Sequence, residues 1–490
     1  MMLKLSPECW IQIFSYLNAC VDLHSCLLVN RFWCRIIVQI LWENPFSYKL
    51  SNRKVKSILK TYLKCLSEKS IERIEEGVRS FSEEMINEKP MFCYSGFLRE
   101  LVVDSKFDIG INNILKKIGK GRRNYLQLQD EYDEYSREFD VISEELVKLL
   151  CENSNRIHSL SITPCKMIDY MIPLLKGDHN HFQRIKKFTF NGIFNRNNLF
   201  RDDGLILALS RASRDIAHIR IKNVDNQGLC DSLVTLLNSQ NRLRSLDLEC
   251  HDLQNVSYYE TMLSSSPHST NSLSFDSIYF CDATVESTNC LAELSRKLKG
   301  FKLIECVDCS LLCNIMKSWE NLVEFTYHTN KFDKDLEFLL TMLKLTSKSL
   351  RYLDIFWIRE DDNFLLDKSR LIKCITENCT QLTSLKLRRL NCEDLFPLWY
   401  SCKKLEVFSF LCCEKGDWEE RLEDLGRVLP CSVKVLKIGN WISLPFSAVA
   451  LEGFLKGCKK SLKKFEIYSF VKTIEYIKVL NDSGVYYELL

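Results

Sequence analysis

"LRYLDI", Leu350–Ile355, and "LTSLKL", Leu382–Leu387, share one frame: apolar, two variable residues, apolar, one variable residue, apolar. The last three positions alternate, the period-two signature of a strand with one buried face. The frame recurs on both sides of this pair, as "IHSLSI" from Ile157, "IKKFTF" from Ile185, "IAHIRI" from Ile216, "LRSLDL" from Leu243, "LKGFKL" from Leu298, "LVEFTY" from Leu322, "LEVFSF" from Leu405, "VKVLKI" from Val433 and "LKKFEI" from Leu462. "TNSLSF", from Thr270, keeps the spacing but has lost its first apolar position. Successive starts lie 23 to 32 residues apart, a period of about 28 that chance does not sustain over so many copies. An outlying copy, "LRELVV" from Leu98 to Val103, sits two periods before Ile157, and the slot between them reads as an irregular insertion at about 104–136.

Between frames the apolar spacing turns helical, as at Ile142, Leu146, Leu149 and Leu150, or at Leu371, Ile372 and Ile375. Each unit is therefore a strand plus a helix. One such unit cannot cover both faces of its strand, but stacked units build a continuous core, which predicts an α/β solenoid with a curved array of parallel strands on the concave face. Twelve or thirteen strands at ~4.8 Å spacing would make an inner rim on the order of 60 Å long, a surface for a macromolecule rather than a metabolite. The variable strand positions point to that face. Near its centre lie Glu324 and His328, then Tyr352, Asp354 and Phe356, then Ser384, Lys386 and Arg388. Exposed aromatics beside charges are what interface hot spots consist of, so Tyr352, Asp354, Phe356, Lys386 and Arg388 are the candidate substrate contacts; the bland alternative is a mixed solvated face.

The frame and period resemble the leucine-rich repeat, and specifically its cysteine-containing subtype. Cys165, Cys306 and Cys413 follow three residues after the last apolar position, and Cys379 and Cys402 stand three residues before the first. The 23 cysteines are odd in number and spread along a chain with no export signal, so reduced, largely buried thiols are expected rather than a disulfide scaffold. A small apolar side chain suits the narrow turn, where its weak S–H can meet a backbone carbonyl.

Composition bounds the rest. With 490 residues, 46% hydrophobic and 27% charged, the chain is long enough for several globular units or one extended array. A net charge of +3 creates no field favouring nucleic acid or acidic lipid. No window approaches the ~18 apolar residues of a membrane span, and "MMLKLSPECW" interrupts any secretory leader with Lys4 and Glu8. A cytoplasmic or nuclear protein is expected.

The N-terminus has a different pattern. Trp10, Ile13, Phe14 and Leu17 share one helix face, with Ser6 placed to cap and Pro7 at the first turn. Asp22 can cap a second helix bearing Leu23, Leu27 and Leu28. Asn30 can cap a third, on which Phe32, Ile36 and Ile40 form one row and Trp33, Ile37 and Leu41 another. Two apolar rows on a three-helix unit exceed what so small a unit can hide; the surplus asks for a partner.

"LSPECWIQIFSYL", "DLHSCLLVNRFW" and the closing "LW" resemble the F-box, from about Leu5 to Phe46. One departure is that the family's proline falls at Ser6, whereas this chain has Pro7. The resemblance implies docking on the Skp adaptor of an SCF ubiquitin ligase, with its cullin and ring-finger subunits, through Leu5, Pro7, Ile13, Leu17, Leu23, Val29 and Trp33; each of these either touches the adaptor or belongs to the small core beneath it. The layout is an F-box over 1–48, a helical linker over 49–95 and a repeat array over 96–490. It is similar to the F-box and leucine-rich-repeat proteins, particularly divergent fungal ones, which are substrate receptors and not enzymes. An interaction scaffold that recruits no ligase is the alternative.

Other chemistry has weaker support. Cys306, Cys309 and Cys313 have zinc-like spacing but want a fourth ligand, and Cys306 already belongs to the repeat frame. "KKIGKGRRN", Lys116–Asn124, lacks the order of a phosphate loop and is followed at once by the acidic "DEYDEY" from Asp130. The eight histidines include no recognisable partner motif for a cysteine nucleophile. Neither a cofactor nor a metal is expected.

Overall fold

The computed structural model describes residues 5–489 except 18–21, 47–49, 79–88, 119–127, 153–155, 177–181, 193–201, 225, 251–255, 268, 281–284, 315–318, 330–334, 358–363, 414–416, 441–443, 459–461 and 469–473. The basic run from residue 119 onward thus lies outside the described residues. The chain forms two compact units, Met1–Leu243 with Ser265–Ser269, and Arg244–Ser264 with Thr270–Leu490.

The first unit opens with helices α1 (Pro7–Phe14), α2 (Asp22–Leu27) and α3 (Arg31–Glu43), then α4 (Asn52–Leu63) and α5 (Glu68–Gly77). Strand β1 (Glu100–Val103) leads into α6 (Ser105–Ile118) and α7 (Leu128–Glu152), followed by β2 (Ser159–Ile162), β3 (Lys187–Asn191) and β4 (His218–Lys222). The four strands pair in parallel, in chain order.

The double-length gap before Ile157, where an irregular insertion is expected at about 104–136, holds no strand among its described residues. β1 pairs directly with β2, Glu100 opposite Ser159, so no strand is missing. The additional residues form two long helices instead. Phe107, Ile111, Ile114 and Leu115 are buried, and a Cβ at Gly110 would run into Leu59 and Val55 of α4. That close approach is why a glycine sits mid-helix, a position it otherwise disfavours. The linker helices are equally integrated. Tyr62 is fully buried, edge-on to Trp42 with ring centroids 5.3 Å apart, and Arg73 of α5 bonds Glu144 and Glu145 of α7, each at 2.8 Å.

The second unit carries β5 (Ser245–Glu249), β6 (Ser272–Asp276), β7 (Gly300–Ile304), β8 (Glu324–Thr329), β9 (Tyr352–Trp357), β10 (Ser384–Leu390), β11 (Val407–Cys412), β12 (Val435–Gly439), β13 (Lys464–Tyr468) and β14 (Tyr486–Leu489), again parallel and in chain order. Helices such as Leu336–Leu345, Phe364–Asn378 and Trp418–Val428 connect them, the crossovers that parallel strands require. β14 is the strand the repeat frame did not announce, because Gly484 stands three residues before Tyr487, where the frame wants its leading apolar residue.

Register explains why the frame recurs. Leu353, Leu385, Phe408, Leu436 and Phe465 stand opposite one another across five strands, and each is completely buried. Ile355, Leu387, Phe410, Ile438 and Ile467 form the next row. The frame's first positions, among them Leu350, Leu382, Leu405 and Val433, are also fully buried. Each repeat supplies three apolar side chains that only its neighbours can cover.

The thiols behave as the repeat reading requires. Cys306 donates to the Phe275 and Ile304 carbonyls at 3.5 and 3.4 Å, Cys413 to the Arg389 carbonyl at 3.0 Å, and Cys402 to the Cys379 carbonyl at 3.8 Å. Burial pushes the Cys306 thiol up to about 12 and the Cys402 thiol up to about 11, which keeps both protonated and unreactive. Among the described residues no helix is long and apolar enough to cross a membrane.

Candidate functional site

The first three helices form a small aromatic core. Phe14, Leu23, Ile36 and Ile37 are buried, with Trp10, Leu17, Leu27, Trp33 and Leu41 packed against them. Trp10, Phe14 and Trp33 meet as a triad, with ring centroids 5.0 to 5.5 Å apart. Asn30 caps α3 as expected, accepting from the Trp33 N–H at 2.9 Å. Ser6 has the extended backbone of a cap residue, but its hydroxyl turns to the Cys9 sulfur rather than to a backbone N–H. Pro7 begins the helix.

This packing sorts the sequence-level candidates. Leu23 is 1% exposed and belongs to the core, not to any contact surface. Leu17 and Trp33 are half-buried within the same core. Leu5, Pro7, Ile13 and Val29 are exposed. The apolar rows of α3 are largely sealed, contrary to expectation: Ile36 and Ile37 are covered by α1 and α2, and only Phe32 stands out at 45%. The surplus lies elsewhere. Ile11, Ile13 and Tyr16 on and beside α1, and Leu28 at 89% and Val29 at 58% between α2 and α3, are open to solvent. More than half of the exposed large apolar side chains among the described residues fall between Leu5 and Phe32, where chance would scatter them singly. Ile13 and Val29 were among the residues the F-box resemblance implies, whereas periodicity put Leu28 on the second helix, which ends at Leu27.

The base of this cap is anchored within its own unit. The Arg99 N–H donates to the Glu43 carbonyl at 2.9 Å, and Phe46 packs on Phe107 with centroids 4.5 Å apart. The cap thus joins the first repeat by packing, not by a tether.

In the second unit, the facing positions of β8 to β13 carry a row of charges. Asp354, Lys386, Ser409, Lys437 and Glu466 stand in register on β9 to β13. Lys386 Nζ lies 2.9 Å and His328 Nε2 3.3 Å from the Asp354 carboxylate. Burial pushes that carboxyl up, but hydrogen bonds and charge from His328 and Lys386 outweigh it and hold the group below its ordinary range. Glu466 is built alike. Lys437 and Lys464 approach it at 2.8 and 2.9 Å and Tyr468 donates at 2.7 Å; burial raises the carboxyl, the three donors overcome this, and it sits at about 2.

All five residues read from the sequence on β9 and β10 come together. The Tyr352 hydroxyl reaches Asp354 at 3.4 Å, and the Arg388 guanidinium lies 3.2 Å from the Phe356 ring centroid. Asp354, however, is 4% exposed and engaged by two bases, so it positions Lys386 and presents no carboxylate to a ligand. β10 is irregular at Arg388: its pairing shifts between Leu387 and Leu390, and Arg389 has φ +54°, left-handed backbone that a side chain with a Cβ disfavours. Burial pushes Arg388 down to about 10, still charged at neutral pH.

Beside this cluster opens a cavity of 760 Å³, lined by Tyr352, Lys386 and Arg388 together with Ser409, Leu411, Lys437, Asn440 and Tyr468. The last five were legible in principle, because each stands on or just beyond a frame one to three repeats after β10. Counting facing positions past Leu387 would have found them.

Residues 7–48 match the F-box-like family model. Among curated proteins none matches the chain. One solved structure similar to it is the leucine-rich repeat-containing protein LegL7 from Legionella pneumophila, 13% identical over 47% of this chain and 85% of that one, with a TM-score of 0.28. The N-terminus is thus an F-box-like domain. The repeat fold stands on this chain's own strand order, register and buried frame.

Proposed function

We propose that this protein is the substrate-recognition subunit of an SCF-type ubiquitin ligase, acting in ubiquitin-dependent degradation in the cytoplasm or nucleus. The F-box-like domain docks on the Skp adaptor, through it on the cullin and ring-finger subunits, and the repeat strands hold a protein target. It performs no bond chemistry itself. The observation that carries this reading is the concentration of exposed apolar side chains on the matched segment: Ile13, Leu28, Val29 and Phe32. Burying side chains of this size contributes about 1.5–3 kcal/mol each, enough for a few to hold a subunit. F-box domains generally bind the Skp adaptor, and this exposed apolar surface lies within the residues that match the F-box-like model.

The test is copurification with the Skp adaptor after coexpression. Wild type should be retained, and Val29→Asp or Ile13→Asp should be lost while thermal unfolding stays unchanged. Trp33→Asp is a poorer choice, because Trp33 packs on Trp10 and Phe14 and its loss would disturb the cap itself. A wild-type chain that fails to copurify would instead make the protein an interaction scaffold without ligase recruitment.

A further inference from the structure

We propose that the cavity on β9 to β13 seats a short acidic peptide segment with one bulky apolar side chain, its carboxylates against Lys386, Arg388 and Lys437 and its apolar group in the hollow above Ser409. The proposal rests on the receptor reading only in calling that segment part of a substrate.

The walls specify both halves of the ligand. Leu385, Leu387, Val407, Phe410 and Leu411 give the cavity an apolar lining, while its charged lining residues are Lys386, Arg388 and Lys437, with no acidic residue among them. The hollow has a structural cause. Ser409 is the one short side chain in the charged row, between Lys386 and Lys437. At Gly439 a Cβ would come within 2.7 Å of Leu411 Cδ2 and 3.0 Å of Tyr468 Cβ, so the glycine lets those two side chains close inward as a wall.

Charge order along the row favours a short anion over a long one. The cations occupy the centre, and Asp354 and Glu466 flank them at either end, each bound to the nearer lysine. Beyond Asp354, Glu324 is exposed on β8. A compact acidic segment meets only the cations, whereas a polyphosphate chain would run onto carboxylates at both ends. From Lys386 on β10 to Lys437 on β12 is two strand spacings, roughly 10 Å, which about three residues of an extended peptide span. The bulge at Arg388 aims a planar guanidinium at the cavity, stacked on Phe356, and that fork suits a carboxylate better than a lysine does.

The test is fluorescence anisotropy with the full chain alone, so that failure to bind the adaptor leaves it interpretable. The probes are labelled peptides Glu-Asp-Phe-Asp-Glu, its amide counterpart Gln-Asn-Phe-Asn-Gln, and Glu-Asp-Ala-Asp-Glu, beside a single-stranded oligonucleotide of equal charge. The acidic phenylalanine peptide should bind about tenfold or more tighter than each of the others, and more weakly as salt is raised. Ser409→Phe, which fills the hollow from a half-exposed position, should abolish that binding. Arg388→Gln should weaken it about tenfold, and it stands as the second variant if the first disturbs the sheet. Equal binding of the amide peptide, tighter binding of the oligonucleotide, or unchanged binding by Arg388→Gln would each overturn the proposal.

Discussion

The N-terminal cap and the ten-strand array draw on the same kinds of apolar residue and use them in opposite ways. In the array, the frame positions of neighbouring strands cover one another until nothing is left over; Leu353, Leu385 and Phe408 are all completely buried. In the cap, four residues form the buried core while Leu28, Val29 and Tyr16 remain in water. The difference is one of neighbours. A repeat has another repeat on each side, whereas a three-helix unit runs out of partners before it runs out of apolar surface. Buried apolar pattern therefore reports fold in one region, and exposed apolar pattern reports assembly in the other.

The comparison can be broken most sharply by paired truncations. Leu385→Ala should destabilise the protein by about 2–5 kcal/mol, because both flanking strands lose a contact and a cavity remains. Leu28→Ala should stay within about 0.5 kcal/mol. Chemical denaturation of both variants reads the contrast, and comparable losses would mean that the cap's exposed side chains are structural after all.

Acid should distinguish the regions next. Glu466 is held at about 2, below its unfolded value near 4.3, so its stabilisation is present above the unfolded value and is lost as pH falls through the folded one. Denaturant midpoints followed from pH 5 to pH 2 should fall for wild type, and more gently for Glu466→Gln. Parallel curves would show that the charged row on β9 to β13 carries no linked stability.

The smallest effect expected is a gain. Thr270 stands where the frame wants an apolar residue; it is 1% exposed, and its hydroxyl has no hydrogen-bond partner among the described residues. Thr270→Val keeps the shape and removes a buried, unsatisfied polar group, so it should stabilise the protein by about 1 kcal/mol in the same denaturation assay. A loss of stability would mean that the degenerate frame at Thr270 is compensated locally.

The repeat frame, its period, the strand-plus-helix unit, the capping by Asn30 and the clustering of Tyr352, Phe356, Lys386 and Arg388 were all determined by sequence alone. Each follows from periodicity, which local chemistry enforces residue by residue. Three things were decided only by tertiary structure. The spacing at Ile142, Leu146, Leu149 and Leu150 announced the end of α7, but that α6 and the start of α7 occupy the double-length slot follows from β1 pairing directly with β2, a long-range choice no local pattern records. The cap's surplus moved from the α3 rows to Ile13, Leu28 and Val29 because α1 and α2 fold over Ile36 and Ile37. The cavity beside Ser409 exists because Gly439 on β12 lets Leu411 and Tyr468, on the strands to either side, close inward, and strands separated by a repeat length of chain become neighbours only once the sheet has formed.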